Sequence, residues 1–381
     1  MSSDDSPAPE RPAVVLSTNS GFNLLHFRGA LLKALQHAGY RVVAVAPPDG
    51  HTSEFSNWGI EFAPVRMARS GLNPLGDLRL LSDYVRVLRR LRPAVYCSFT
   101  IKPNVYGSIA ARLCGVPSIA NVTGLGTAFL AKGALWRLTR SMYRAAFKRS
   151  HAVYFHNGED LRAFVEGGIV KPAQARVIAG SGIGLDHYRP ADLPAGDPVF
   201  LFIGRLLRDK GVREFVEAAR LVKAHSPHAR FQLLGDIDPG NRTSVTAAEL
   251  RSWVDEGVVE HLQEQQDVRP FISAATAVVL PSYREGMSRA LLEAASMARP
   301  LVGSDVPGVR ELAEEGVTGA RFAPGDSGSM AKAMERIAEA SPETLRRYGA
   351  NAREKVEREF SEESVVQTYL DVIGELVPRA D

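Results

Sequence analysis

The sequence predicts an α/β protein made of two doubly wound, parallel-sheet domains, and three observations carry that expectation. Short β-rich runs alternate with longer segments of helical period. The runs are nearly continuous in apolar residues, as strands covered on both faces are. The alternation halts at 187–198 (HYRPADLPAGDP) and then begins again. A chain of 381 residues is long enough for two domains, each with its own core.

Taken in order, residues 1–12 are polar and Pro-rich, without the basic start or apolar centre of a signal peptide, and are expected to be a disordered tail. Residues 13–190 form the first domain. Its strands are AVVLST (13–18), RVVAVA (41–46), AVYCSF (94–99), PSIANV (117–122) and AVYFH (152–156), with helices between them. The first helix carries Leu24, Leu25, Leu31, Leu32 and Leu35 along one face. Residues 191–360 form the second domain, with strands VFLFIG (199–204), RFQLLG (230–235), AVVLPS (277–282) and PLVGS (300–304) and helices over 211–225, 267–275, 287–298 and 326–358. Residues 361–381 read as an amphipathic helix expected to pack back toward the first domain.

Composition excludes several classes. With 45% hydrophobic and 23% charged residues the chain is neither disordered nor collagen-like. No run approaches the ~18 apolar residues of a spanning helix. Two cysteines, Cys97 and Cys114, are too few for a disulfide framework or a Cys-rich zinc site. A cytoplasmic protein is expected. The net charge of +3 hides an asymmetry: residues 1–190 carry 23 Lys and Arg against 12 Asp and Glu, and residues 191–381 carry 23 against 31. Either the basic half faces an anionic partner (nucleic acid, membrane or phosphorylated substrate) or the two halves have simply drifted in charge.

Ligands of open α/β sheets bind beyond the carboxyl ends of the strands. The first such loop of interest is FIGRLLRDKG (202–211), where Gly204 permits a close turn and Arg205 and Lys210 supply cations before a helix. It is not a Walker loop, and taken alone it also fits a basic surface turn. The second is PSYREGMSRALLEA (281–294), with Glu285 in the loop and Glu293 two turns into the following helix. These carboxylates suit vicinal hydroxyls of a sugar, and the amides of Gly286, Met287 and Ser288 suit phosphate or sugar oxygens. Glu293 also lies four residues after Arg289 and fits an i,i+4 pair.

Together, F-x-G-R-x-x-x-x-K-G and the later E-x(7)-E resemble the retaining family-4 glycosyltransferases of the GT-B fold. The resemblance extends to SGFNLLHFRGALLKAL (20–35), GSGIGLDHY (180–188) and residues 267–312. Closer similarity, through LNPLGDL (72–78), TIKPNVYG (100–107) and NVTGLGT (121–127), is to bacterial transferases that extend undecaprenyl-diphosphate-linked sugars, N-acetylgalactosaminyltransferases among them. It implies a GT-B protein whose two Rossmann-like domains face each other across a cleft. It also implies that Arg205 and Lys210 hold the diphosphate of a UDP-sugar and neutralise charge as UDP leaves, and that Glu293 accepts the ribose hydroxyls. Glu285, Gly286, Met287 and Ser288 would hold the donor sugar. Gly21 would let the first domain approach the diphosphate. Front-face, retaining transfer needs no protein base, metal or cofactor, the UDP-sugar being a co-substrate. The family's His after the 119–124 strand is replaced here by Asn121, Val122 and Thr123; His26 is the nearest imidazole by position, though a lone His in an amphipathic helix more often serves packing or the surface.

Other patterns have simpler readings. The D-x-D of GDIDPG (235–240) fits a turn, GLGTAF (124–129) lacks the third glycine of a dinucleotide loop, and the cysteines fit core packing. Residues 127–150 hold six cations and no acid, interleaved with Trp136, Leu138, Tyr143 and Phe147. Lys132, Trp136, Arg137, Arg140, Arg144 and Lys148 are expected to meet an anionic membrane at the inner face of the plasma membrane, unless the helix packs on the core with a solvated basic face. Lys102 is a candidate for the acceptor's diphosphate. The expectation is transfer of an N-acetylhexosamine, with GalNAc the best guess, from its UDP-sugar to an undecaprenyl-diphosphate-linked saccharide, without nucleic acid. The alternatives are a UDP-sugar 2-epimerase of the same fold, an NAD-dependent oxidoreductase and a non-catalytic membrane adaptor.

Overall fold

The computed structural model describes residues 11–68, 73–124, 134–241 and 243–377, with the side chains of 134–136 left aside. Lys132, most of the GLGTAF loop and the Trp136 side chain lie outside the described residues. The chain divides into two compact units, Met1–Ser181 with Glu363–Asp381, and Gly182–Glu362. It passes between them at Ser181–Gly182, ahead of the Pro-rich stretch at 187–198. There the outgoing and returning segments pair at Ile183 and Ser361.

Unit 1 holds seven strands, β1 (Ala13–Ser17), β2 (Arg41–Ala46), β3 (Glu61–Pro64), β4 (Val95–Ser98), β5 (Ser118–Val122), β6 (Ala152–Phe155) and β7 (Ala175–Val177). Their order is β3-β2-β1-β4-β5-β6-β7, and every pairing is parallel. Val14, Val15 and Leu16 are fully buried, as a central strand between two helical layers requires. The helix Gly21–His37 follows β1 and opens on Ser20, whose hydroxyl accepts from Asn23 N. The helix Glu362–Leu376 belongs largely to this unit: Val365, Tyr369, Val372 and Ile373 enter its core, and Asn121 Nδ2 donates to Tyr369 OH at 2.7 Å.

Unit 2 holds β8 (Val199–Ile203), β9 (Arg230–Leu234), β10 (Glu260–His261), β11 (Ala277–Leu280), β12 (Leu301–Ser304) and β13 (Gly319–Phe322), ordered β10-β9-β8-β11-β12-β13 and again all parallel. Phe200, Phe202, Phe215 and Phe231 centre its core. The single helix expected over 326–358 is two, Ser327–Ala338 and Pro342–Glu359. Ser341 caps the second and Pro342 cannot continue the first.

Both sheets follow the 3-2-1-4 order of Rossmann-type folds. The strand order reverses between β1 and β4 in unit 1 and between β8 and β11 in unit 2. At such switch points the loops diverge to opposite faces and leave a crevice. No helix among the described residues is long and apolar enough to cross a membrane.

Candidate functional site

Both loops singled out in the second half of the sequence flank the β8/β11 switch point. After β8, Gly204 N donates to Leu234 O at 2.9 Å, and Leu206 N to Asp236 O at 3.0 Å. The exposed Arg205 reaches Asp238 Oδ2 at 2.8 Å. Asp236 lies 3.5 Å from His261 Nε2. The two carboxylates of the D-x-D thus serve different partners, with Ser244 Oγ accepting from Asp238 N at 3.0 Å to hold the turn.

A single helical turn, Arg208–Lys210, closes on Gly211 at φ +72°. A Cβ there would lie 2.2 Å from Pro281 O, so glycine lets this loop press against the one that follows β11. Tyr283 N donates to Asp209 O at 3.0 Å across the same seam. The consequence is a meeting of two residues singled out separately: Lys210 Nζ binds Glu285 Oε1, which also accepts from Ser282 Oγ at 2.6 Å. The Glu285 backbone is fixed by Glu285 N donating to Pro307 O at 3.1 Å. Gly308, at φ +79°, packs where a Cβ would lie 2.6 Å from Glu285 O.

The next helix runs Arg289–Ser296 and is capped by Ser288, whose side chain accepts from Leu291 N. Of the three amides expected to face a ligand, that of Ser288 is already committed to Gly308 O at 3.0 Å. The amide of Met287 donates to no acceptor among the described residues. Glu293 is buried, and its Oε1 accepts from Arg289 Nε at 2.9 Å and from Tyr188 OH at 3.0 Å. The i,i+4 pair read from the sequence is therefore formed. Tyr188 was not singled out; it is 105 residues away in sequence, so no local pattern links it to Glu293. Burial and the neighbouring Glu293 push its phenol up to about 12, which keeps it a donor at neutral pH.

Unit 1 places Gly21 and Lys102 at the corresponding β1/β4 switch point. Gly21 N and Phe22 N donate to Asp49 Oδ2 at 2.6 and 3.3 Å, so a carboxylate already faces this helix N-terminus. Lys102 is paired with Asp77 at 2.9 Å, both side chains nearly buried. His26 is exposed and stacked on Phe22 at 3.9 Å. Asn121 is wholly buried within β5, with its carbonyl oxygen accepting from Asn104 Nδ2 at 2.8 Å. At the end of β6, burial and the nearby Arg28 push His156 down to about 3.

The basic helix is Ala134–Phe147. Tyr143 and Phe147 are core residues packed on Phe164, not part of an apolar surface. Arg140 donates to Gly167 O, and Arg144 to Gly168 O at 2.8 Å, capping the carbonyl end of the helix Gly158–Glu166. Arg137, Leu138 and Lys148 remain exposed.

Chemically, unit 2 gathers two cations, two carboxylates and a capped helix N-terminus at one sheet edge. That is a set able to bind a phosphorylated, hydroxyl-bearing ligand.

The profile described as Glycosyl transferase 4-like domain matches residues 27–180, and that of Glycosyl transferases group 1 matches residues 197–340. The chain is 26% identical to the N,N'-diacetylbacillosaminyl-diphospho-undecaprenol alpha-1,3-N-acetylgalactosaminyltransferase of Campylobacter jejuni, over 94% of this chain and 98% of that one. It is 25% identical to the UDP-Gal:alpha-D-GlcNAc-diphosphoundecaprenol alpha-1,3-galactosyltransferase of Escherichia coli, over 78% and 80% of the two chains. Among solved structures, sucrose-phosphate synthase from Thermosynechococcus elongatus superposes with a TM-score of 0.80 at 19% identity, covering 97% of this chain and all of that one. Anabaena HepE in complex with UDP and glucose gives 0.77 at 20% identity, covering 95% and 99%. These structural likenesses establish the GT-B class of fold. The two profiles together match well over half of the sequence, and the chain belongs to the group 1 glycosyltransferases, with a glycosyltransferase 4-like first unit.

Proposed function

We propose that the protein transfers an N-acetylhexosamine, GalNAc, from its UDP-sugar to an undecaprenyl-diphosphate-linked saccharide, with retention and without a metal. The observation that carries the donor side is the seam between the β8 and β11 loops, which brings Arg205, Lys210, Glu285 and Glu293 to one sheet edge. The acceptor class is supported by the near full-length similarity to the Campylobacter jejuni enzyme, whose name specifies such an acceptor.

In this reading Arg205 and Lys210 exchange their carboxylate partners for the donor's diphosphate oxygens and stabilise the charge that develops as UDP leaves. Glu293 accepts the ribose hydroxyls, and Glu285 and the Met287 amide hold the sugar. The acceptor hydroxyl oxygen attacks the anomeric carbon from the face that UDP leaves, the bond from that carbon to the diphosphate oxygen breaks, and the hydroxyl proton passes to the departing phosphate.

The exposed cations Arg137 and Lys148, with Leu138, form the part of the basic helix that rests on an anionic bilayer, so the enzyme is a peripheral protein of the cytoplasmic membrane face.

Thermal denaturation with UDP tests the donor side. Millimolar UDP raises the melting temperature of the wild type, as any ligand specific to the folded state must, and does so far less for Lys210→Ala. An unchanged wild-type melting temperature would contradict the reading.

A further inference from the structure

Glu293 is held in an asymmetric way. Both donors that reach it, Tyr188 OH at 3.0 Å and Arg289 Nε at 2.9 Å, bind the same oxygen, Oε1. No donor among the described residues reaches Oε2, and Oε2 is not one of the buried, unpaired oxygens. The carboxylate is thus fixed through one oxygen, and the other is left accessible.

Tyr188 is itself fixed at both ends. Its ring is buried and lies 5.8 Å from the guanidinium carbon of Arg289. Its carbonyl accepts from Arg353 Nη1 at 2.8 Å, and the same nitrogen donates to Ser296 O at 2.7 Å, at the end of the helix that carries Glu293. Arg289 in turn donates to Gly182 O at 2.8 Å. The segment 182–188 and the helix Arg289–Ser296 are therefore tied at two separate places. A carboxylate whose first oxygen accepts two hydrogen bonds cannot rotate about χ3 without losing both.

We infer that Tyr188 is a positioning residue for the nucleotide: with Arg289 it anchors Glu293 Oε1 and thereby presents Oε2 to the ribose hydroxyls. The inference rests on the proposed role of Glu293. It adds a residue outside the two motif loops and a consequence for selectivity. A site preorganised to accept from a diol favours a ribonucleotide over one that lacks both hydroxyls, because the oriented acceptor would otherwise be desolvated without a partner. The phenol proton is committed to Glu293 Oε1, so Tyr188 has none to give the ribose, and the inference routes its effect through the carboxylate.

The test is calorimetric titration of the full chain with UDP and with 2′,3′-dideoxy-UDP, for wild type, Tyr188→Phe, Glu293→Gln and the double variant. The wild type is expected to prefer UDP by about tenfold or more, and Tyr188→Phe to lose at least about fivefold of that preference. The loss falls on UDP alone, with dideoxy-UDP binding unchanged. In the Glu293→Gln background, Tyr188→Phe is expected to change the preference no further, a coupling that general destabilisation would not produce. A Tyr188→Phe protein that keeps the wild-type preference overturns the role of Tyr188 while leaving that of Glu293 intact. A wild type that binds both nucleotides equally overturns both roles, and one that binds neither removes the donor reading as a whole.

Discussion

Lys210 and Glu285, seventy-five residues apart in the chain, share a hydrogen-bonded ion pair in which Ser282 also donates to the carboxylate oxygen. The pair is the product of two glycines: Gly211 and Gly308 let backbone approach backbone on either side of it. Each partner is thereby preset at the sheet edge. Lys210→Ala is expected to lower transfer by about a hundredfold or more, the scale for removing a charge that stabilises a leaving group. Because the pair is only partly buried, the expected stability loss is no more than about 2 kcal/mol. Single-turnover rates and denaturant unfolding of the same preparation measure the two effects.

Gly211→Ala tests the seam itself. The substitution places a Cβ against Pro281 O at a left-handed φ, and the expected cost is about 2–4 kcal/mol of stability together with loss of UDP binding. Urea unfolding and UDP titration are the measurements.

Asp238→Asn addresses the partner of Arg205. In the proposed site a nucleotide diphosphate takes Arg205 from Asp238, and the variant removes that competition. UDP is expected to bind about two- to threefold more tightly, with stability changed by less than about 0.5 kcal/mol because the pair is exposed. Calorimetry reads the affinity.

His156 makes the fold sensitive to acid. Its folded-state value of about 3 lies below the ordinary 6.5 of histidine, so between those limits the unfolded chain binds the extra proton. The contribution is complete above pH 6.5 and declines as pH falls toward 3, at up to about 1.4 kcal/mol per pH unit. His156→Asn is expected to flatten the pH dependence of stability between pH 6 and 4. An unchanged slope would assign the acid sensitivity to other groups.

Substitutions at Arg137 and Lys148 test the proposed membrane contact without disturbing the helix caps made by Arg140 and Arg144. Glu at both positions is expected to abolish flotation with vesicles containing phosphatidylglycerol and to leave the melting temperature within about 2 °C.

The central strands were legible because residues such as Val14–Leu16 and Phe200–Phe202 are buried on both faces and read as continuous apolar runs. β3, β7, β10 and β13 were not: they are two to four residues long, and in EFAP, ARV and EH nearly every side chain is polar or partly exposed. The four charged residues at the β8/β11 edge were legible from motif spacing. Their partners were not, since Tyr188 and Asp238 are brought to them only by tertiary packing. The basic helix shows the same limit. Its acid-free run is plain in the sequence, but which arginines cap a neighbouring helix depends on the 167–168 turn lying beside it.

Transfer from a UDP-sugar to a lipid-diphosphate-linked saccharide would be read straight from the mass of the product. The full chain would be incubated with a panel of UDP-sugars and an undecaprenyl-diphosphate-linked acceptor. The expected product is heavier by one N-acetylhexosamine residue, formed with a UDP-N-acetylhexosamine and unaffected by EDTA. An acceptor mass that stays unchanged with every UDP-sugar, from a protein that binds UDP, would contradict the proposed transfer.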